Sequence, residues 1–159
     1  MAGYGLISDT HGYLDPQVPR LFRRVDLILH AGDVGDPRVL AALREIAPLA
    51  AVRGNNDRTG ACARLPLKKL VSLGSLPTLV IHEIGRPERP LPYLARLLAQ
   101  HRPLLVIYGH SHLPTDEVRD GIRWVNPGSA GKKRFHLPRT CALLRVSGNR
   151  LLLRHVSLE

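Results

Sequence analysis

Five short apolar runs in this chain each break off into residues that can ligate a metal. Gly5-Leu6-Ile7-Ser8 runs into Asp9 and His11. Asp26-Leu27-Ile28-Leu29-His30 runs into Asp33. Pro48 to Arg53 gives way to Asn55 and Asp57. Thr78 to His82 ends on a histidine, and Leu104 to Tyr108 is followed by His110 and His112. Apolar runs of this length, bounded by Gly, Asp and Asn, read as buried strands. Parallel strands in an α/β sheet deliver the residues after their carboxyl ends to one crevice, where ligands bind. Any one of these groups alone would be read as a turn. All of them together, each just beyond an apolar run, are read as a site.

Helical patterns separate the first strands. Gln17 to Arg24 reads as a short helix. Pro37 suits the first turn of a second, running to about Ile46. In the second half, Leu67 to Leu73 and Thr78 to His82 are strand-like about a Gly74 turn, and Pro92 to His101 reads as a helix with Leu94, Leu97 and Leu98 on one face. Asp120-Gly121 and Ser147-Gly148-Asn149 each sit between apolar runs and predict hairpins, Thr115–Arg119 with Ile122–Val125 and Thr140–Val146 with Arg150–Val156. The expected fold is α/β: two mixed β-sheets packed face to face and flanked by helices, in four layers, with the second half antiparallel. One domain over residues 1–159 is expected, since nothing reads as a linker.

Composition narrows the function classes. Apolar residues are 44% and charged residues 23% of the chain, an ordinary globular balance that excludes disorder. No apolar run reaches the roughly 18 residues of a membrane span, so no membrane partner is expected. Met1 to Gly5 offers no basic region of a signal peptide, and the two cysteines, Cys62 and Cys141, make no disulfide framework. A cytoplasmic protein is expected. The net charge of +10 favours polyanions, but its 19 arginines and four lysines are spread along the chain. Nucleic acid is therefore weighed as a partner and not favoured.

The ligand types agree with one another. Asp9, His11, Asp33, Asn55, His82, His110 and His112 offer carboxylate, imidazole and amide, and no thiolate. Such mixed oxygen and nitrogen donors suit manganese, iron, nickel, cobalt or zinc. Seven donors exceed the needs of one ion and match two that share a carboxylate. A pair of metals can clamp a phosphoryl group and generate a hydroxide nucleophile. The alternation of His110 with His112 would send both side chains the same way, toward one metal.

Ser8-Asp9-Thr10-His11-Gly12, Gly32-Asp33, Gly54-Asn55-Asn56-Asp57, Gly109-His110-Ser111-His112 and Asn126-Pro127-Gly128-Ser129 occur in this order. The set resembles the calcineurin-like metallophosphoesterases, in particular their small bacterial and archaeal phosphodiesterases. The resemblance implies that Asp9, His11 and His112 hold a first metal, that Asn55, His82 and His110 hold a second, and that Asp33 bridges them. It gives Asp33, Asn55 and His82 a part in catalysis. It implies two divalent transition-metal ions, manganese foremost, and a small phosphodiester attacked by a metal-bridging hydroxide. The alternatives are a non-catalytic metal-binding scaffold of the same fold, as in the retromer subunit, or a nuclease. Oligomeric state is left open.

Two positions depart from the family pattern. Asn56 stands where larger relatives carry a histidine that assists the leaving group, and an amide supplies no proton at neutral pH. Glu83 follows His82 where glycine is common. Of the remaining histidines, His30 reads as a buried supporting residue and His101, His136 and His155 as surface residues. Asp57 reads as a loop anchor, Asn126 to Ser129 as a turn that either is structural or lends donors to the site, Arg58 and Arg134 as solvated cations, and both cysteines as inert.

Overall fold

The computed structural model describes residues 1–159. In its first half, β1 (Ala2–Ile7), β2 (Leu27–His30) and β3 (Leu49–Ala51) alternate with helices α1 (Val18–Leu21) and α2 (Pro37–Ile46), and α3 (Gly60–Ala63) follows. The second half holds β4 (Lys68–Leu73), β5 (Leu76–Ile81), the two-residue strands β6 (Gly85–Arg86) and β7 (Arg89–Pro90), and α4 (Pro92–His101). It closes with β8 (Leu105–Ile107), β9 (Thr115–Arg119), β10 (Ile122–Asn126), β11 (Thr140–Ser147) and β12 (Arg150–Ser157). Both ten-residue helices start at proline, whose fixed φ suits the first turn. Asp36 caps α2, its carboxylate accepting the Arg38 N–H at 2.8 Å.

The strands form two five-stranded sheets, in the orders β12-β11-β1-β2-β3 and β4-β5-β8-β10-β9. In the first sheet β1, β2 and β3 are parallel, and β11 runs antiparallel to β1, pairing Val146 with Ala2. In the second, β5, β8 and β10 are parallel and only the flanking β4 and β9 are antiparallel. The expectation of an antiparallel second half is corrected here. Its centre is parallel because α4 carries the chain over the sheet between β5 and β8, as a parallel crossover requires. The last hairpin does not extend that sheet either; it returns to cover β1.

Three apolar clusters correspond to the interfaces of four layers. Leu6, Leu29 and Leu144 of the first sheet meet Val80, Ile107 and Val125 of the second between the sheets. Ile7 and Ile28 pack outward on Phe22, Leu40 and Leu43 beneath α1 and α2. Leu79, Val106 and Trp124 pack outward on Leu94 and Leu97 of α4. The alternation along each strand feeds both faces of both sheets. No helix is long and apolar enough to cross a membrane.

Candidate metal centre

The carboxyl ends of the parallel strands of both sheets meet at one rim. Asp9 and His11 lie beyond β1, Asp33 beyond β2, Asn55 beyond β3, His82 beyond β5, and His110 and His112 beyond β8. Five of these seven have left-handed backbone: Asp9 (φ 54°), His11 (46°), Asp33 (54°), His110 (71°) and His112 (62°). Non-glycine residues hold such angles at a cost, and they cluster where function fixes the chain. Asp9, Asp33 and His82 form a buried floor, His11 and His112 are half-buried, and Asn55 and His110 stand exposed at the rim.

The side chains fall into two halves. In one, His112 Nε2 lies 3.1 Å and His11 Nε2 3.8 Å from Asp9 Oδ1, and the two imidazole nitrogens are 3.4 Å apart. In the other, His82 Nε2 and His110 Nδ1 lie 3.0 and 3.1 Å from Asn55 Oδ1. The simple alternation of His110 with His112 is thus corrected. Both residues are left-handed, and the turned backbone sends their rings to opposite halves. Asp33 Oδ2 stands between them, 3.4 Å from His82 Nε2 and 3.8 Å from His11 Nε2. Asp9 Oδ1 also reaches across, to 4.0 Å from His82 Nε2.

Hydrogen bonds fix these groups from behind. The Ser8 hydroxyl and the His110 N–H donate to Asp9 Oδ2 at 2.6 and 3.1 Å, while the buried Oδ1 accepts no hydrogen bond. His82 Nδ1 lies 2.7 Å from the Ala31 carbonyl, a contact that calls for the Nδ1–H tautomer and leaves the Nε2 lone pair facing the centre. Asn56 donates to both oxygens of Asp33, through its backbone N–H at 2.9 Å and its side-chain amide at 2.8 Å. Asp57 accepts the N–H groups of Val34, Gly35 and Gly54, so it ties the loops after β2 and β3 together, as a loop anchor should.

Protonation follows from this geometry. Burial acts to raise the Asp33 carboxyl, but His82 and the Asn56 N–H outweigh it and hold it well below the usual carboxylate range. Burial likewise opposes ionisation of Asp9, and His112, His82 and Ser8 reverse the sign. His82 is disfavoured as a cation by burial, yet Asp33 and Asp9 raise its pKa. Burial and the charge of Arg134 lower that of His11. Two ionised carboxylates facing imidazoles, with one buried oxygen unpartnered, form a donor set that fits divalent cations. Asp9, His11 and His112 converge as one trio of donor atoms, and Asp9, Asp33 and His82 as another.

Other residues noted in the sequence find plain roles. His30 is fully buried. Its Nδ1 accepts the Gly32 N–H at 3.1 Å and its Nε2 lies 2.9 Å from the Thr10 hydroxyl, which itself donates to the Val34 carbonyl. It props the turn before Asp33, and burial pushes its pKa down to about 4. Asn126 donates to the Gly109 carbonyl and to Ser111 Oγ, each at 3.0 Å, and Ser129 Oγ donates to the Asp9 carbonyl at 3.1 Å. The Asn126–Ser129 turn therefore braces the loops after β1 and β8. His155, expected at the surface, is half-buried instead, its Nε2 2.8 Å from the Asn126 carbonyl. His136 is exposed and His101 half-buried. The thiols of Cys62 and Cys141 are buried and free, and burial raises both, Cys141 to about 12. Reading the sequence missed Ser8 and Asn56 as groups that orient the carboxylates. No local signal marks them, because their role depends on where a neighbouring loop lies. Beside Asn55 and His82 opens a cavity of about 460 Å3.

The chain as a whole is similar to known proteins. The family model described as the calcineurin-like phosphoesterase superfamily domain matches residues 3–149. A probable metallophosphoesterase of Methanocaldococcus jannaschii is 38% identical over 132 residues, 79% of this chain and 66% of that protein. The match thus spans just under two-thirds of that relative's length. A probable metallophosphoesterase of Methanothermobacter thermautotrophicus is 33% identical over 152 residues, 92% of this chain and 87% of that protein. Among solved structures, Vps29 of Chaetomium thermophilum superposes with a TM-score of 0.79 at 20% identity, covering 99% of this chain and 98% of its own.

Proposed function

The chain belongs to the calcineurin-like phosphoesterase superfamily, a family of phosphoesterase hydrolases, and from that membership we propose that it is a two-metal phosphodiesterase acting on a small diester. The observation that carries the reading is the buried Asp9 Oδ1, unpartnered and ringed by imidazole nitrogens. A buried carboxylate oxygen that accepts no hydrogen bond and faces several imidazole nitrogens is an open donor for a cation. Asp9, His11 and His112 would hold one ion, Asn55, His82 and His110 the other, with Asp33 between them. When bound, two divalent ions would supply Lewis acidity toward the phosphoryl oxygens and an activated water at neutral pH.

The chain's own groups set the rest. Asn56 fixes Asp33 through both of its oxygens, so the central carboxylate cannot rotate away. The Ala31 carbonyl fixes the His82 ring. Because the Asn56 amide is engaged with Asp33 and carries no acidic proton, position 56 offers no general acid. General-acid help is worth about 10²–10⁴-fold, so turnover depends strongly on leaving-group quality and favours aryl diesters over alkyl ones.

The test is hydrolysis of bis-nitrophenyl phosphate by the manganese-loaded protein, beside nitrophenyl phosphate as the monoester. Asp33→Asn is expected to lower turnover by about 10³-fold or more and to reduce bound metal. A variant that keeps two tightly bound metals and full turnover would remove the central role of Asp33. The net charge of +10 favours the nuclease alternative. Oligonucleotide cleavage that is efficient at low salt and collapses as salt rises would establish it.

A further inference from the structure

The cavity beside Asn55 and His82 is built for more than a phosphate group. Its far wall carries Leu67, Leu91 and Tyr93, which are 51%, 41% and 40% exposed. Single exposed apolar side chains are ordinary, but three converging on one concavity next to a candidate active centre mark a surface that expects cover. The surface is also held in place. The Leu91 N–H donates to the Ile84 carbonyl at 2.9 Å, closing the β6–β7 excursion back onto the end of β5. Tyr93, in the first turn of α4, accepts from Lys68 Nζ at 3.1 Å, and that ammonium lies 5.5 Å from the ring centre.

Polar groups of two kinds share the cavity. Glu83, directly after His82, lines it half-buried and takes part in no hydrogen bond or ion pair within the protein. Its carboxylate is an acceptor in need of a donor. Arg53 and Arg58 line it as well, Arg58 Nε donating to the Asn55 carbonyl at 3.0 Å. An apolar wall with an aromatic ring, an acceptor without a donor, and two arginines, all lining one space beside Asn55 and His82, together suit a planar group that bears N–H donors and is joined to a phosphate. A methyl or nitrophenyl substituent leaves Glu83 unanswered, and a lipid chain would press hydrocarbon against a carboxylate. The volume lies within the range of ordinary small-molecule sites.

We infer that the cavity is a nucleoside subsite: one substituent of the diester is a nucleoside whose base rests against Tyr93 and Leu91 and donates an N–H to Glu83. The inference rests on the phosphodiesterase reading for the bond that is cleaved. It is read separately by binding.

The experiment is calorimetry of the manganese-loaded full chain with three probes: thymidine monophosphate, inorganic phosphate and hexyl phosphate. Thymidine monophosphate is expected to bind at least about tenfold more tightly than either other probe, since base stacking on an aromatic ring is worth about 1–3 kcal/mol. In Tyr93→Ala the ratio of nucleotide to phosphate affinity should fall by about tenfold, and in Tyr93→Phe, which keeps the ring face, it should hold. Equal affinity for nucleotide and phosphate overturns the subsite, as does an unchanged ratio in Tyr93→Ala. Hexyl phosphate binding as tightly as the nucleotide overturns it in favour of a lipid-like substituent. Selective nucleotide binding with no diester hydrolysed would sink the catalytic reading and leave the subsite standing. Hydrolysis of methyl nitrophenyl phosphate as readily as the thymidine nitrophenyl diester would do the reverse.

Discussion

The turns at the metal rim and the turns of the hairpins are written in the same residues and obey different constraints. Gly121 and Gly148, in the β9–β10 and β11–β12 hairpins, have φ of 77° and 56°, and a Cβ on either would meet nothing within 4 Å. Their glycines answer only to the backbone angle of a tight turn. At the rim, Gly109 has ordinary backbone, yet a Cβ there would strike Ser8 Oγ and come within 2.7 Å of Asp9 Oδ2. A Cβ on Gly54 would strike the Asp33 carboxylate. The rim glycines are there because strand ends must approach closely enough to press carboxylates and imidazoles together. Turn composition alone does not separate the two cases; what lies opposite the missing side chain does.

Three measurements bear on this contrast. Gly109→Ala should have the largest effect, a loss of about 3 kcal/mol in stability together with a large fall in bound metal, because Ser8 and Asp9 must both move. Urea melts and metal analysis read the two effects. If the variant binds metal like the parent, the close-approach account of the rim is wrong.

Acid should act next, through His30 under the rim. Its folded pKa of about 4 lies below the unfolded value of 6.5, so the unfolded chain takes up the proton first. Stability is therefore retained above pH 6.5 and lost as pH falls from there toward 4, by roughly 2–3 kcal/mol at the lower end. Comparing chelated parent and His30→Asn at pH 7 and pH 4.5 isolates the effect, the parent losing more. Equal losses would mean that His30 is not held neutral in the fold. Smallest of all, Gly121→Ala should cost about 1 kcal/mol from left-handed strain and leave bound metal unchanged. A loss as large as that of Gly109→Ala would erase the contrast.

Much of this was legible in the sequence wherever the signal was local. Pro37 and Pro92 with their apolar spacing gave both long helices their observed limits, and Asp120-Gly121 and Ser147-Gly148-Asn149 gave both hairpins. The convergence of the candidate ligands at strand ends was legible because the polar residues follow directly on the apolar runs. Partnership between distant segments was not. Nothing near Thr140 says that β11 will pair with β1 rather than extend the second sheet. Nothing near Asn56 says that its amide will face Asp33. The short α3 and the β6–β7 strands were also missed, since two to four residues carry too little periodicity to register.

The place of β1 in its sheet has a consequence for how the molecule comes into being. β1 is made first, yet one of its two neighbours is β11, with Ala2 opposite Val146. A ribosome adding about 5–20 residues per second leaves that flank uncovered for roughly 7–30 s, while β5, β8 and β10 can already assemble. Throughout that interval the strand carrying Asp9 offers a bare row of amides and carbonyls to any passing chain. The first candidate ligand synthesised is thus among the last to be locked. Nascent-chain aggregation or chaperone capture should concentrate in the interval before β11 emerges.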